Sequence, residues 1–457
     1  MDVPKENFGI RPAVIMDPLD RLSYQALVDV QSARLIGGLD QWVCGWRLPR
    51  IAPEGRNYRT NRSEWAQYRV SLAAYADLNS VGLKTDVTSC FSSMPIPGVV
   101  SDIYQYGASG PALERLVDIV VSLDKTPGRS GLMQRSKASA VLANMYLQRL
   151  DDPLRHHNQS LPRGHGLRKF PFRSGGVARW MDDIWVFGSD EAALRKVQVD
   201  LQNVGRNAGL ELNLGKTSVK SGQELVAAVK KIQHSAIDDA LDAEPSDQAP
   251  LEELLDTIID DPAQADRTTI RFALSRMKKH KIHSRREKLI NSIEKMPHGA
   301  DHLARAFRDL GWWKELQDWY LEYKDGQWAH FPWSVARLGA MFPTRGDAAV
   351  HLCNAFADTL SSRPPLPLMA LTAQRLAFWD SERARDVICE LLLEVDNPHE
   401  RRVLSLTLLH VAKERKLIRR SLSDFEENAL TLRMIEDGNF QPFNVSADFS
   451  ASETDDE

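Results

Sequence analysis

The sequence predicts an α+β domain followed by an all-α domain. Three observations carry that reading. The first half of the 457-residue chain mixes strand-like and helix-like apolar spacings, whereas beyond about residue 225 almost every apolar pattern repeats at helical spacing. Between the halves, AIDDALDAEPSDQAP (236–250) is acidic and rich in small residues, the composition of a connection. Within the first half, GGVARWMDDIWVFGSD (175–190) places two adjacent acids, Asp182 and Asp183, in a run that otherwise reads as buried strand. The expected layout is a mixed domain over 1–225, a connection over 226–250, a helical domain over 251–437 and an acidic, disordered tail over 438–457.

In chain order, 19–36 repeats apolar residues at helical spacing, with Asp17 and Pro18 ahead of it as a start signal. Segment 81–87 (VGLKTDV) alternates as a strand, and 132–150 (LMQRSKASAVLANMYLQRL) reads as one helix rich in Ala and Leu. Two apolar strands flank the double Asp. A helix follows at 190–208, and GLELNLGKTSV (209–219) reads as strand, turn and strand. The second half predicts amphipathic helices at 251–260, 267–279, 284–295, 300–309, 312–323, 333–341, 348–360, 366–378, 381–394, 398–414 and 422–435. Short helices paired through Pro or Gly turns suggest a HEAT-like α-solenoid, with a compact bundle as the alternative. The aromatic cluster at 312–320, with Trp328 and Trp333, reads as helical core.

Composition is that of a soluble globular protein, 43% hydrophobic and 26% charged. A net charge of −4 gives no global sign of nucleic-acid binding, so any such binding needs a local basic surface. Segment 155–173 (RHHNQSLPRGHGLRKFPFR) supplies one beside the double Asp. His156 and His157 there have no Cys or acidic partner at ligand spacing and read as polar or phosphate-facing groups. Cys44, Cys90, Cys353 and Cys389 lie far apart, which predicts a reduced, cytoplasmic protein without a zinc site. Neither a signal peptide nor an apolar run of membrane-spanning length is present.

Burying two neighbouring carboxylates is costly unless a cation compensates them. A tight turn brings both close to one ion, and Mg²⁺ prefers hard oxygen ligands of this kind. A third carboxylate is then expected on a neighbouring strand, and Asp86 in LKTDVTSCF (83–91) is the candidate. Three such groups suit two divalent ions, Mg²⁺ with Mn²⁺ as a substitute. One would activate a 3′ hydroxyl and the other would neutralise a triphosphate.

Across roughly 10–220 the chain resembles reverse transcriptases. VGLKTDVTSCFSSMPI resembles the first catalytic block, with an aromatic five residues after its Asp. GLMQRSKASAVLANMYLQRLDDPL resembles the block written L-P-Q-G-x-x-x-S-P-x-L-x-N, RWMDDIWVFG the Tyr-x-Asp-Asp block, and GLELNLGKT the lysine-bearing block after it. Upstream, DRLSYQALVD and WVCGWRLPR resemble the fingers blocks of group II intron and retron enzymes. The resemblance implies a right-hand polymerase fingers–palm domain acting on dNTPs with RNA or single-stranded DNA. Asp86, Asp182 and Asp183 would be metal ligands, with the backbone of Val87 contributing. Phe91 would lie under the sugar and exclude a ribose 2′ hydroxyl, and Gln134 would lie against the incoming nucleotide. Lys216 would donate a proton to the leaving pyrophosphate, a role its charge and reach suit. Arg47 and Arg50, with Arg59 and Arg62, are triphosphate or template clamps to choose among. Trp180 stands where a Tyr is usual. Arg135 and Lys137 depart from the pattern of their block and bring two cations toward the template or primer.

A fingers–palm domain followed by helices resembles the abortive-infection and "unknown group" reverse transcriptases of bacterial phage defence. Some of these make DNA without a conventional template or prime on the protein itself. Tyr24, Tyr58, Tyr68 and Tyr146 are candidate priming hydroxyls. A noncoding RNA and self-assembly are further partners to consider. The rival readings are a retroelement polymerase copying a dedicated structured RNA, and an inactive palm serving as a scaffold.

Overall fold

The computed structural model describes residues 1–49, 58–126, 130–134, 136–160, 176–230, 237, 241, 248–344, 350–412 and 414–438, the side chains of 62, 159, 160 and 230 excepted. They divide into two compact units, one formed by Asp20–Ser235 and the other by Met1–Leu19 with the chain from Ala236 on.

The strands in chain order are β1 (Asp2–Pro4), β2 (Ile10–Pro12), β3 (Val43–Cys44), β4 (Val81–Thr85), β5 (Val177–Trp180), β6 (Asp183–Gly188) and β7 (Ser218–Ser221). Helices of the first half are α1 (Pro18–Ile36), α2 (Asn61–Leu78), α3 (Cys90–Ser93), α4 (Ile96–Tyr106), α5 (Pro111–Asp124), α6 (Lys137–Leu147), α7 (Asp151–Ser160), α8 (Glu191–Asn207) and α9 (Gly222–Lys230). The Asp20–Ser235 unit is built on a five-stranded sheet of order β3-β5-β6-β4-β7, antiparallel except for the β3–β5 pair.

Side-chain alternation sends Trp185 and Phe187 to one face of β6. There they pack with Ala178 against Tyr68, Leu72, Tyr75 and Ala76 of α2 and Leu225 and Val229 of α9. Helix α8 packs on β4 and β6, burying Leu194, Val197 and Leu201. Its N-terminus is capped by the Asp190 carboxylate, which accepts from the amides of Ala192 and Ala193. Helix α6 is buried from Ala138 through Leu147, which explains its run of small residues. The helix expected over 132–150 is shorter than its apolar pattern. Ser136 caps α6 by accepting from the Ser139 amide, and 148–150 tightens into a 3₁₀ turn.

In the other unit β1 and β2 pair antiparallel from Asp2↔Pro12 to Pro4↔Ile10. Val3 joins a core with Leu251, Leu255, Leu303, Phe307 and Trp333, and the Phe8 ring lies 5.8 Å from Trp328. The helices run Ala249–Asp260, Arg267–His280, Arg286–Ser292, Ala300–Asp309, Gln317–Asp325, Pro332–Gly339, Val350–Ser361, Leu366–Trp379, Ser381–Glu394, Pro398–Val411, Arg415–Ser423 and Ala429–Glu436. Trp312, Tyr320 and Trp333 are buried, as a core reading of that cluster requires. A second core joins Leu360, Leu376, Ile388, Leu404, Leu408 and Leu422. The single helix expected over 422–435 is two. The break falls at Phe425, which is extended at φ −132° and ψ 123°; Arg401 stacks on its ring at 5.1 Å and pairs with the neighbouring Asp424. Among the described residues no helix is long and apolar enough to cross a membrane.

Most of the expected connection (231–236, 238–240 and 242–247) and the tail from 439 on lie outside the described residues.

Candidate active site

Asp86 follows the last residue of β4, and Asp183 opens β6. Their strands pair antiparallel from Val81↔Gly188 to Thr85↔Ile184, so the next step of the register sets Asp86 opposite Asp183. The β5–β6 turn has only two residues: Trp180 pairs with Asp183, leaving Met181 and Asp182 between them. Met181 adopts φ +54°, a left-handed conformation that costs a side-chain-bearing residue about 1–2 kcal/mol.

The strain is held by a buried polar network beneath the turn. Arg179 is fully buried, and its Nε and Nη2 donate to the two carboxylate oxygens of Asp151, both at 2.9 Å. Its Nη1 donates to the Met181 carbonyl at 3.1 Å and to Asn144 Oδ1 at 3.2 Å, and Asn144 Nδ2 donates to the Gly45 carbonyl at 3.0 Å. One guanidinium thus fastens the turn to α6 and α7.

The carboxylates feel one another. Burial first, then the charge of Asp86, push the Asp182 carboxyl up to about 7. Burial also raises Asp183, against the lowering influence of Lys84 and of the Tyr68 hydroxyl. Lys84 Nζ stands 3.9 Å from Asp183 Oδ1, and Tyr68 Oη donates to Asp183 Oδ2 at 3.2 Å. Burial and the charge of Asp183 push the Tyr68 phenol well above its usual range, so it remains a donor. Lys216 Nζ lies 3.1 Å from Asp86 Oδ2, while Asp86 Oδ1 is buried without a hydrogen-bond partner.

An orphaned acceptor beside two further carboxylates is a hard-oxygen donor set that fits a divalent cation such as Mg²⁺. Among the described residues no three His, Cys, Asp or Glu side chains are already gathered at ligand distance. Lys84 and Lys216 supply the counter-charge in this arrangement.

Lys216 reaches Asp86 because the segment before β7 folds back. The Asn213 amide donates to the Asp86 carbonyl and the Thr88 amide to the Glu211 carbonyl, an isolated bridge between Val87 and Leu212. Neither bond uses the Val87 carbonyl. A turn closed by the Lys216 amide on the Asn213 carbonyl then brings the lysine over β4.

Phe91 lies half-buried on α3, and the loop bearing Gln134 docks on it. The Leu132 amide donates to the Phe91 carbonyl at 2.8 Å, and Ser130 Oγ to the Ser92 carbonyl at 2.8 Å. Gly131, at φ +70°, permits the close approach, since a Cβ there would fall 2.2 Å from the Phe91 carbonyl oxygen. Gly131→Ala is therefore expected to lower the Tm of the full chain by about 5 °C or more, from the left-handed conformation and the clash together. A Tm within 1 °C of wild type, roughly the error of such scans, would show that this docking does not persist in solution.

Two of the four arginines named as clamp candidates, Arg47 and Arg59, are engaged locally. Arg47 is committed to its own backbone, donating to the Val43 carbonyl at 2.6 Å, to the Leu39 carbonyl at 3.1 Å and to the Asp40 carbonyl. These bonds engage both of its Nη groups in fixing the loop. Arg59 pairs with the buried Glu64 at 3.1 Å. Lys137 is exposed at the start of α6, while Arg50 and Arg135 lie outside the described residues. His157 Nε2 is paired with the Phe187 carbonyl at 2.8 Å. Of the four tyrosines, Tyr24 contacts Ser139, Tyr146 donates to the Ala208 carbonyl and Tyr58 to Asp29, whereas Tyr68 alone of the four touches Asp183. The sequence signalled the three aspartates, Phe91, Gln134 and Lys216. It gave no sign of Arg179 as the anchor of the turn, because a cation in an apolar strand reads as an interruption.

The chain matches the family described as "Reverse transcriptase (RNA-dependent DNA polymerase)" over residues 3–249. No curated protein matches it. Among solved structures it is similar to telomerase from Candida albicans in complex with a TWJ fragment of telomeric RNA, at 11% identity and a TM-score of 0.24. That likeness covers 92% of this chain and 56% of the other, so the chain spans little more than half of that protein's length.

Proposed function

The chain belongs to the reverse transcriptase family, and from that premise we propose that it is an RNA-directed DNA polymerase that transfers nucleotides from dNTPs. One observation carries the reading: Asp86 is set by strand register against the Asp182–Asp183 turn, with its buried Oδ1 unpartnered. Asp86, Asp182 and Asp183, with the Val87 carbonyl, are the groups that would hold Mg²⁺ or Mn²⁺. Magnesium bound there supplies Lewis-acid activation of a 3′ hydroxyl and neutralisation of the triphosphate. The chain's own residues do the rest. Lys216, poised over Asp86, gives a proton to the departing pyrophosphate. Gln134 lies against the nucleotide, and Phe91 fills the space below its sugar.

Phe91→Ala is expected to admit ribonucleotides, lowering the dNTP-over-rNTP ratio of kcat/KM by about 10²-fold. Unchanged discrimination in single-turnover assays would remove the gate role.

We read the biological setting as bacterial defence against phage, on the layout of a palm followed by helices. Cells expressing the wild type should survive phage challenge better than cells expressing Asp182→Asn/Asp183→Asn, and equal survival would sink this part of the reading. The activity itself is tested by incubating the purified full chain with labelled dNTPs and Mg²⁺ or Mn²⁺, then sequencing the product with and without protease. Incorporation into DNA is expected. A faithful copy of one noncoding RNA would mark a retroelement role, untemplated product would mark template-independent synthesis, and label lost on proteolysis would mark protein priming. If no substrate, nucleic acid or protein, becomes labelled, the inactive scaffold is the better account.

A further inference from the structure

We propose that Tyr68 is a positioning residue for Asp183, holding one oxygen of that carboxylate so that the other faces the site. The inference rests on the polymerase reading and extends it to helix α2. A carboxylate rotates softly about its last torsion, so an isolated Asp does not fix where its lone pairs point. Here the two oxygens are distinguished. Oδ2 accepts from the Tyr68 hydroxyl at 3.2 Å, and Oδ1 faces the Lys84 ammonium at 3.9 Å.

The donor is itself immobilised. Tyr68 is 1% exposed, its ring 5.4 Å from Trp65 and 5.9 Å from Trp180, and those two indoles meet edge to face at 4.9 Å. Trp180 is the residue just before the Met181–Asp182 turn and pairs with Asp183 across it. Gly45 backs it, since a Cβ there would sit 3.6 Å from the Trp180 ring. The Trp at this position, which departs from the usual Tyr, thus completes an aromatic wall that carries the hydroxyl to Asp183. Arg179 fixes the turn from below, and Tyr68 fixes the carboxylate from the side.

A role confined to packing makes a different prediction. A buried hydroxyl needs some acceptor, and satisfying it would affect stability only. Tyr68→Phe separates the two, because the ring and its contacts remain. In the full chain, positioning predicts that kcat for dNTP incorporation falls roughly tenfold, the factor expected for a hydrogen bond to a charged group, with KM for dNTP within about twofold. It also predicts that half-saturating Tb³⁺, read without turnover by tryptophan-sensitised luminescence, rises at least about threefold. If Tyr68→Phe lowers Tm but leaves kcat and Tb³⁺ half-saturation within about twofold of wild type, Tyr68 merely packs and the proposal is overturned. A wild-type chain that binds Tb³⁺ but makes no DNA would sink the polymerase reading alone, and the Tb³⁺ comparison would still decide the role of Tyr68. Wild type that binds no Tb³⁺ would overturn both.

Discussion

Asp182→Asn combined with Asp183→Asn is expected to lower dNTP incorporation by at least about 10³-fold while making the metal-free chain more stable at pH 8. The two effects share one cause. Burial first, and then the charge of Asp86, push the folded Asp182 carboxyl up to about 7 from an ordinary 3.8 when no cation sits among these acids. Between those values the folded chain holds a proton that the unfolded chain has released. Stability of the metal-free wild type therefore falls as pH rises from about 4 to about 7 and levels off above that, by an amount on the order of a few kcal/mol. The double variant removes that slope. Thermal unfolding in EDTA at pH 5 and pH 8, beside an incorporation assay with Mg²⁺, reads both effects. Persistent synthesis by the variant would refute the assignment of these acids, and an unchanged pH slope would refute the raised Asp182 carboxyl as its source.

The second large effect lies beneath the turn. Arg179→Met leaves Asp151 buried and uncompensated, which is expected to cost about 3–5 kcal/mol in urea unfolding and to abolish activity by releasing the turn. Arg179→Met with Asp151→Leu removes both charges, and most of the stability should return, as replacement of buried pairs by apolar groups generally allows. Activity should not return with it, because the Met181 carbonyl then lacks the donor that holds the left-handed residue in place. Recovery of activity together with stability would reduce Arg179 to a structural residue with no bearing on the turn.

The contrast between these two sites shows what a sequence discloses. Asp182 and Asp183 were legible because adjacent acids in an apolar run are expensive and demand a reason, and Asp86 because it ends a short strand in an ordered series of blocks. The same pattern reading passes over Arg179, whose partner Asp151 is 28 residues away in a helix and whose other acceptor is a backbone carbonyl. Tyr68 entered the sequence reading only as one of four candidate priming hydroxyls, and it is buried on α2. Only the packing of α2 on β5 aims its hydroxyl at an acid 115 residues later. Arg47 shows the same limit from the other side: a cation in a fingers block suggests a phosphate, and its bonds to three backbone carbonyls within eight residues were not legible from that pattern. Helix ends failed where local capping overruled periodicity, as at Ser136, or where a distant side chain packs on the break, as Arg401 does at Phe425.

The joint role of Asp86 and the Asp182–Asp183 turn is tested most directly by anomalous diffraction from crystals of the full chain grown with Mn²⁺ and a non-hydrolysable dNTP. The account predicts a manganese peak about 2.1 Å from a carboxylate oxygen of Asp86 and from one of the turn aspartates, with the triphosphate beside it. A bound triphosphate with no manganese on Asp86, its carboxylate still paired to Lys216, would contradict the account at its root.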